Sequence, residues 1–299
     1  MNQNHILFLS VPMIWALNAF MIKLSASIIS LDTYNFLRFL CVTPILFFFK
    51  KPHDSFPKLL LISVFWFVLN FYFQNKALSS SLEFGYFALG TITTSLFILV
   101  ISSILRVDKF TSKMMIGFLF ALLGLILIAT EVSKDFSKTV GLVSLLLSNA
   151  SVAIGTVLLK KFKVNPSFSN IGRICLISAF FMFLITTAQN GPLVVYSEIF
   201  RLNFSTVGSI IFSAFFVTLV GGKIWIQVVD YFGPSLSSFS MFLFPIFSMC
   251  LGLVFLNESL TMMKLLAFFL IVSSVLISVS PREKMKNYFR NAIKFKARP

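Results

Sequence analysis

The 299-residue sequence predicts an all-α integral membrane protein whose ten transmembrane helices form two inverted five-helix repeats. Three observations carry this. The chain is 58% hydrophobic and 12% charged, against about 25% charged in an average soluble protein. It contains ten long apolar runs, and a helix rising about 1.5 Å per residue needs around 17 to 25 such residues to cross a bilayer core. Finally, an offset of 150 residues superimposes late segments on early ones, which divides ten helices into two groups of five. A transmembrane β-barrel is excluded, because its strands of about ten residues alternate apolar and polar, whereas these runs are apolar on every side.

The run 6–22 lacks Lys, Arg, Asp and Glu and predicts a first helix over 6–25. No Lys or Arg precedes it and no small-residue cleavage site follows, so it is read as a span rather than a secretory signal. The second helix, 32–49, is interrupted only by Arg38. Charge-free runs at 59–75, 84–105 and 114–130 predict helices over 57–77, 82–106 and 110–130 and complete a first repeat, 1–135. Runs at 139–159, 174–197, 202–222, 231–257 and 265–281 predict helices over 138–160, 166–189, 205–229, 232–256 and 260–280. These form a second repeat, 136–281, followed by a basic tail, 282–299.

The net charge of +15 is unevenly placed. With a cytoplasmic amino terminus the inner loops and tail collect sixteen basic residues, among them Lys50, Lys51, Arg106, Lys160 and Lys161, against six at the outer ends. This is the positive-inside pattern, which sets both termini in the cytoplasm of a cell inner membrane. The tail reads as a stop signal and solvated end, or as a contact for anionic membrane lipid. Nucleic acid is not an expected partner, since neither stacking aromatics nor a soluble fold supports it. Cys41, Cys175 and Cys250 lie within apolar runs and offer no disulfide framework or zinc spacing.

The repeat is visible residue by residue. The 150-residue offset places Asp108 on Glu258, Thr111 on Thr261 and Phe97 on Phe247, while shorter offsets place Asn35 and Arg38 on Asn170 and Arg173, and Lys23 on Lys160. Because five is odd, the second half enters the membrane from the opposite side, the arrangement that places a substrate site near the midplane between the halves of many secondary transporters.

Trp15, Ala16, Leu17, Asn18 and Lys23 in the first helix, Arg38 in the second, the pairs Asp108/Thr111 and Glu258/Thr261, and Pro245 thirteen residues before Glu258 resemble the drug/metabolite transporter superfamily in its ten-helix EamA-type branch. The resemblance covers essentially the whole chain. Ala16 for the commoner Gly, Ser95 opposite Pro245 and Asp108 for the commoner Glu mark the first half as divergent. The resemblance implies a permease that moves a small organic metabolite by alternating access, more commonly in export. An amino acid or related carboxylate suits the embedded basic and amide groups. Uptake or exchange of a nucleotide-derived solute such as S-adenosylmethionine is the alternative within transport, and a non-transporting scaffold the alternative outside it.

An ionisable side chain at a bilayer centre costs at least about 2.5 to 3.5 kcal/mol on insertion scales, so the embedded charges need a reason. Arg38 lies six residues beyond Asp32, about 9 Å deep, and either grips a solute carboxylate with its bidentate fork or braces a helix end. Lys223 is expected to face the cavity, with Gln227 and Asp230 on its face. Depth counting gathers Trp15, Asn18, Asn70, Gln74, Thr91, Thr94, Asn149 and Ser240 into a polar layer near the midplane, read either as substrate contacts or as interhelical glue. Lys23, Glu83, Arg173, Asp230 and Pro245 are expected in gating or structural roles. Enzyme chemistry, cofactors and metals are not expected: the only histidines are His5 and His53, no H-E-x-x-H motif or phosphate loop occurs, and no acid sits mid-span.

Overall fold

In the computed structural model the described residues are 3–25, 27–49, 54–107, 112–132, 135–257, 259 and 261–278. Among them every regular element is helical: α1 (Gln3–Ser25), α2 (Leu31–Phe48), α3 (Phe56–Ser79), α4 (Phe84–Ile104), α5 (Ser112–Val132), α6 (Phe136–Lys161), α7 (Phe168–Asn190), α8 (Pro192–Phe200), α9 (Phe204–Phe232), α10 (234–255) and α11 (Met262–Ser278). Six of these, α2, α3, α4, α6, α7 and α9, are long and apolar enough to cross a membrane. Shorter apolar stretches occupy α1 (Ser10–Ser25), α5 (Met115–Thr130) and α10 (Phe244–Phe255). The tail 282–299 and the acids Asp108 and Glu258, with Thr111, lie outside the described residues.

Local chemistry sets the helix starts. Ser30, Asp135, Ser167 and Asn203 each accept a backbone N–H of the first turn of α2, α6, α7 and α9, satisfying donors that a helix leaves without internal partners. Two Gly-Pro steps begin α8 and α10: Gly191 (φ 81°) precedes Pro192 and Gly233 (φ 80°) precedes Pro234. Glycine adopts this positive φ freely, and a proline at the first helical position loses no needed donor. The first step creates α8, a short helix the apolar pattern did not separate from its neighbours. The second starts α10 two residues later than the expected 232.

Both α3 and α9 change pitch midway. Residues Ser63–Leu69 and Ser213–Gly221 are wound as π-helix, a rare winding that appears mostly as single bulges, often at functional sites. They stand 150 residues apart, the repeat offset. The strongest helix pairings are α3 with α6, α5 with α11, α2 with α7, α4 with α6, α4 with α10, and α1 with α10. Three of them join repeat counterparts, α2/α7, α4/α10 and α5/α11.

The α3–α6 contact is close enough to need a glycine. A Cβ on Gly155 would stand 2.6 Å from Cβ, 2.7 Å from Cα and 2.8 Å from N of Trp66, so the backbone of the π-wound stretch itself is in the way. Gly155→Leu therefore requires the helices to separate, and overpacking of this kind costs about 1 to 3 kcal/mol or more. A fall in thermal stability is the expected result; an unchanged melting temperature would show that the two helices do not approach this closely.

Candidate functional site

Where α1, α2, α3, α4, α6, α9 and α10 converge they leave a cavity with about 880 Å³ of unfilled space, its mouth included. One wall is aromatic. Trp66 and Phe67 of α3 stack at 4.7 Å between centroids, with Phe71 one turn further along, and Trp15 of α1 leans on Trp225 at 5.1 Å. Met241 and Phe244 of α10 add apolar surface.

The polar lining has two kinds of member. Some groups are engaged. Asn149 donates to the Gly90 carbonyl (2.9 Å) and Thr93 Oγ1 (2.8 Å), joining α6 to α4. Asn70 accepts from Ser148 (2.7 Å) and donates to the Trp66 carbonyl (3.2 Å), supplying a side-chain donor to the π-wound segment. Thr91 donates to the Ala88 carbonyl (2.6 Å). Others keep capacity to spare. Asn18 accepts from Ser213 (2.7 Å) through its oxygen, leaving its amide N–H groups over. Gln74 and Thr94 line the cavity with no side-chain hydrogen bond among the described residues.

Arg38 is the charged member. It is 2% exposed, its Nε donates to Thr218 Oγ1 at 2.6 Å, and its guanidinium carbon lies 4.6 Å from the centroid of the Phe71 ring. No carboxylate stands within ion-pair distance of it among the described residues, where the ion pairs are Lys160–Asp230 and Lys264–Glu83. Thr218 is fixed in turn by donating to the Ser213 carbonyl (2.8 Å) across the π-wound turn of α9. The second half thus holds a first-half arginine at the cavity edge, where among the described residues no acid pairs with it.

Trp15, Asn18, Arg38, Asn70, Gln74, Thr91, Thr94 and Asn149 all line this cavity. Lys223, Gln227 and Ser240 are not among its lining residues. The Lys223 amine lies 4.1 Å from the centroid of the Phe168 ring, a cation–π contact that satisfies it away from the cavity. Gln227 lies one turn beyond Lys223 on α9, and Ser240 is spent on the Ser237 carbonyl (2.9 Å) within the tight 3-10 turns that start α10. Asp230 does not pair with Lys223 but bonds Lys160 (3.1 Å) at an exposed helix end. Lys23 donates to the Leu78 carbonyl (2.7 Å). Arg173 has a buried Nε without a partner among the described residues, and Pro245 is buried beside the cavity residue Phe244. Glu83 meets Lys264 at 2.5 Å, a lysine only 1% exposed.

Ser148, Thr156 and Thr218 also line the cavity, and nothing about isolated Ser and Thr in apolar runs singles them out. A signal was nevertheless present. The repeat offset maps Phe67 on Val217, Thr91 on Met241 and Thr94 on Phe244, and all six line the cavity. The related positions coincide while their chemistry diverges, polar threonines in one half facing apolar residues in the other.

Apolar helices packed around a mixed aromatic and polar cavity define a multi-pass membrane protein with an internal small-molecule pocket. The comparisons place it further. The EamA-like transporter family matches residues 3–130 and again 139–280; the chain belongs to this family, as two copies of its unit. The family's members are transporters of small molecules rather than enzymes. One solved structure, described only as "Crystal structure of protein", aligns over 92% of this chain and 96% of its own with a TM-score of 0.62 at 14% identity, among 22 solved chains that match. That likeness shows the fold alone. No curated protein matches the sequence.

Proposed function

We propose that the protein is an inner-membrane permease of ten spans, built as two inverted five-helix repeats with both termini cytoplasmic, which exports an amino acid or a related carboxylate-bearing metabolite by alternating access. The observation that carries the reading is the Arg38 guanidinium at the edge of the cavity, without a carboxylate in reach among the described residues. A buried cation lacking a counter-ion is costly, and a solute carboxylate seated there would supply the charge in bidentate geometry. The aromatic wall suits an apolar side chain, and Asn18, Gln74 and Thr94 offer hydrogen bonds to the remaining polar groups. A scaffold whose interfaces are packed shut would have no space beside Asn18, Asn70 and Thr94, where the cavity lies.

Counterflow of labelled amino acids into proteoliposomes tests the reading, with Asn18→Leu as the diagnostic variant. Losing the spare amide donors should weaken solute binding by about tenfold, the value of one hydrogen bond at about 1 to 1.5 kcal/mol, while insertion is unaffected. Unchanged affinity would remove Asn18 from the site.

A further inference from the structure

Arg38 is joined to an acid after all, through two buried amides. Its Nη1 donates to Asn35 Oδ1 at 3.5 Å, Asn35 Nδ2 donates to Asn75 Oδ1 at 2.9 Å, and Asn75 Nδ2 donates to Asp32 Oδ1 at 2.8 Å. Every donor points the same way, from the cation toward the carboxylate. Asn35 and Asn75 are 0% and 3% exposed, whereas Asp32 is only half-buried, at the start of α2. A guanidinium inside the protein is therefore wired to a carboxylate within reach of solvent protons. Asn35 Nδ2 also donates to the Leu31 carbonyl (3.1 Å), which holds its amide in this orientation.

We propose that Asp32 is the proton-binding residue of the transport cycle, coupled through Asn75 and Asn35 to Arg38, so that a solute carboxylate seated on Arg38 is accompanied by a proton on Asp32. This rests on the reading of Arg38 as the anion contact. While the cavity is empty, the positive charge of Arg38 favours the ionised form of Asp32. A carboxylate on Arg38 cancels that charge, and Asp32 takes up a proton from solvent, forming its O–H bond with no other bond broken. By reciprocity a protonated Asp32 strengthens anion binding at Arg38 by the same factor. For a solute whose only charge is its carboxylate, anion and proton together carry no net charge into the membrane.

The other groups around Asp32 do not supply this link. Of the charged groups, Lys76 of α3 and Glu198 of α8 act on it directly, with opposite sign. Glu198 is engaged in accepting from the Ser30 N–H (2.9 Å), Ser30 Oγ (3.0 Å) and Thr33 Oγ1 (2.5 Å). Lys76 lies 4.6 Å from the centroid of the Tyr72 ring. Lys23 of α1 donates to the Leu78 carbonyl. The helices α7 and α9 bring neutral groups to this part of α2, namely Thr186, Asn190, Ser209 and Ser213. The second half holds the same parts disconnected: Asn170 Nδ2 donates to Asp54 at 2.6 Å, but Asn170 Oδ1 and Arg173 Nε are buried without partners among the described residues. The Asn-x-x-Arg pattern does not link up by itself, and the continuous chain belongs to the half whose arginine lines the cavity.

The test needs no substrate. The sequence has five aspartates, Asp32, Asp54, Asp108, Asp135 and Asp230, so side-chain carboxyl 13C labelling of aspartate gives a small set of resonances, and Asp32→Asn assigns one of them. Arg38→Gln should raise the titration midpoint of Asp32 on the order of one pH unit, as expected for charges roughly 10 Å apart at an effective dielectric constant near 20. Arg38→Lys, which keeps the charge, should leave the midpoint within a few tenths of a unit of the wild type. A midpoint that does not move in Arg38→Gln, or that moves equally in both variants, overturns the coupling. Should the midpoint shift while Arg38→Lys transports normally, the coupling stands and the bidentate anion contact fails instead.

Discussion

Replacing Arg38 with Lys is expected to reduce solute flux by about tenfold to a hundredfold, the equivalent of one or two charged hydrogen bonds at about 1.5 to 3 kcal/mol. Charge is retained in this variant, so the loss isolates geometry. Arg38 reaches Thr218 through Nε and Asn35 through Nη1, and keeps the remaining fork for the cavity. A lysine ammonium is a single point donor on a flexible stem and cannot make these contacts together. The measurement is initial flux in proteoliposomes at matched protein density, with a melting curve beside it. Wild-type flux in Arg38→Lys would leave the arginine a bracing role only.

The second large effect concerns stability. Glu83 precedes α4 and Lys264 lies in the first turn of α11, so their ion pair ties the first half to the second. The Lys264 side chain is 2% exposed and also donates to the Ser259 carbonyl (2.7 Å), while the Glu83 side chain keeps 38% exposure. Glu83→Ala leaves a buried ammonium without its carboxylate, at a cost of about 3 kcal/mol, the low end for breaking a buried pair because Glu83 is partly solvated. Combining Glu83→Gln with Lys264→Met removes the ammonium as well and should recover much of the loss. Melting temperatures decide it: a double variant less stable than Glu83→Ala would mean that Lys264 serves stability through packing alone.

The apolar segments were legible in sequence because a bilayer demands long charge-free runs, and a charge such as Lys113 or Lys138 punctuates each one. The cavity was partly legible for a related reason. Amides such as Asn18, Asn70 and Asn149 are costly among lipid tails, so counting depth along each run brings them to one level. Charges misled where an alternative partner existed that the pattern could not display. Lys223 is answered by a ring 55 residues earlier in the chain, on Phe168 of another helix, and Lys264 by an acid from the opposite half. Hydroxyls such as Thr218 carried no signal, since a serine or threonine in a span satisfies itself on its own backbone as readily as it serves a site, as Thr91 does here. The π-wound turns of α3 and α9 were likewise invisible, because nothing in the composition of Ser63–Leu69 or Ser213–Gly221 departs from an ordinary apolar helix.

The central claim is that the two EamA-like units lie in opposite orientation around one cavity. Single cysteines test it most directly, introduced after Cys41, Cys175 and Cys250 are changed to Ser. Ser137 is exposed in the first turn of α6, where the second unit begins, and Gln3 opens α1. A membrane-impermeant maleimide added to intact cells should label Ser137→Cys and leave Gln3→Cys unlabelled until the membrane is opened. Labelling of both positions from the same side would place the two units in parallel and contradict the inverted arrangement.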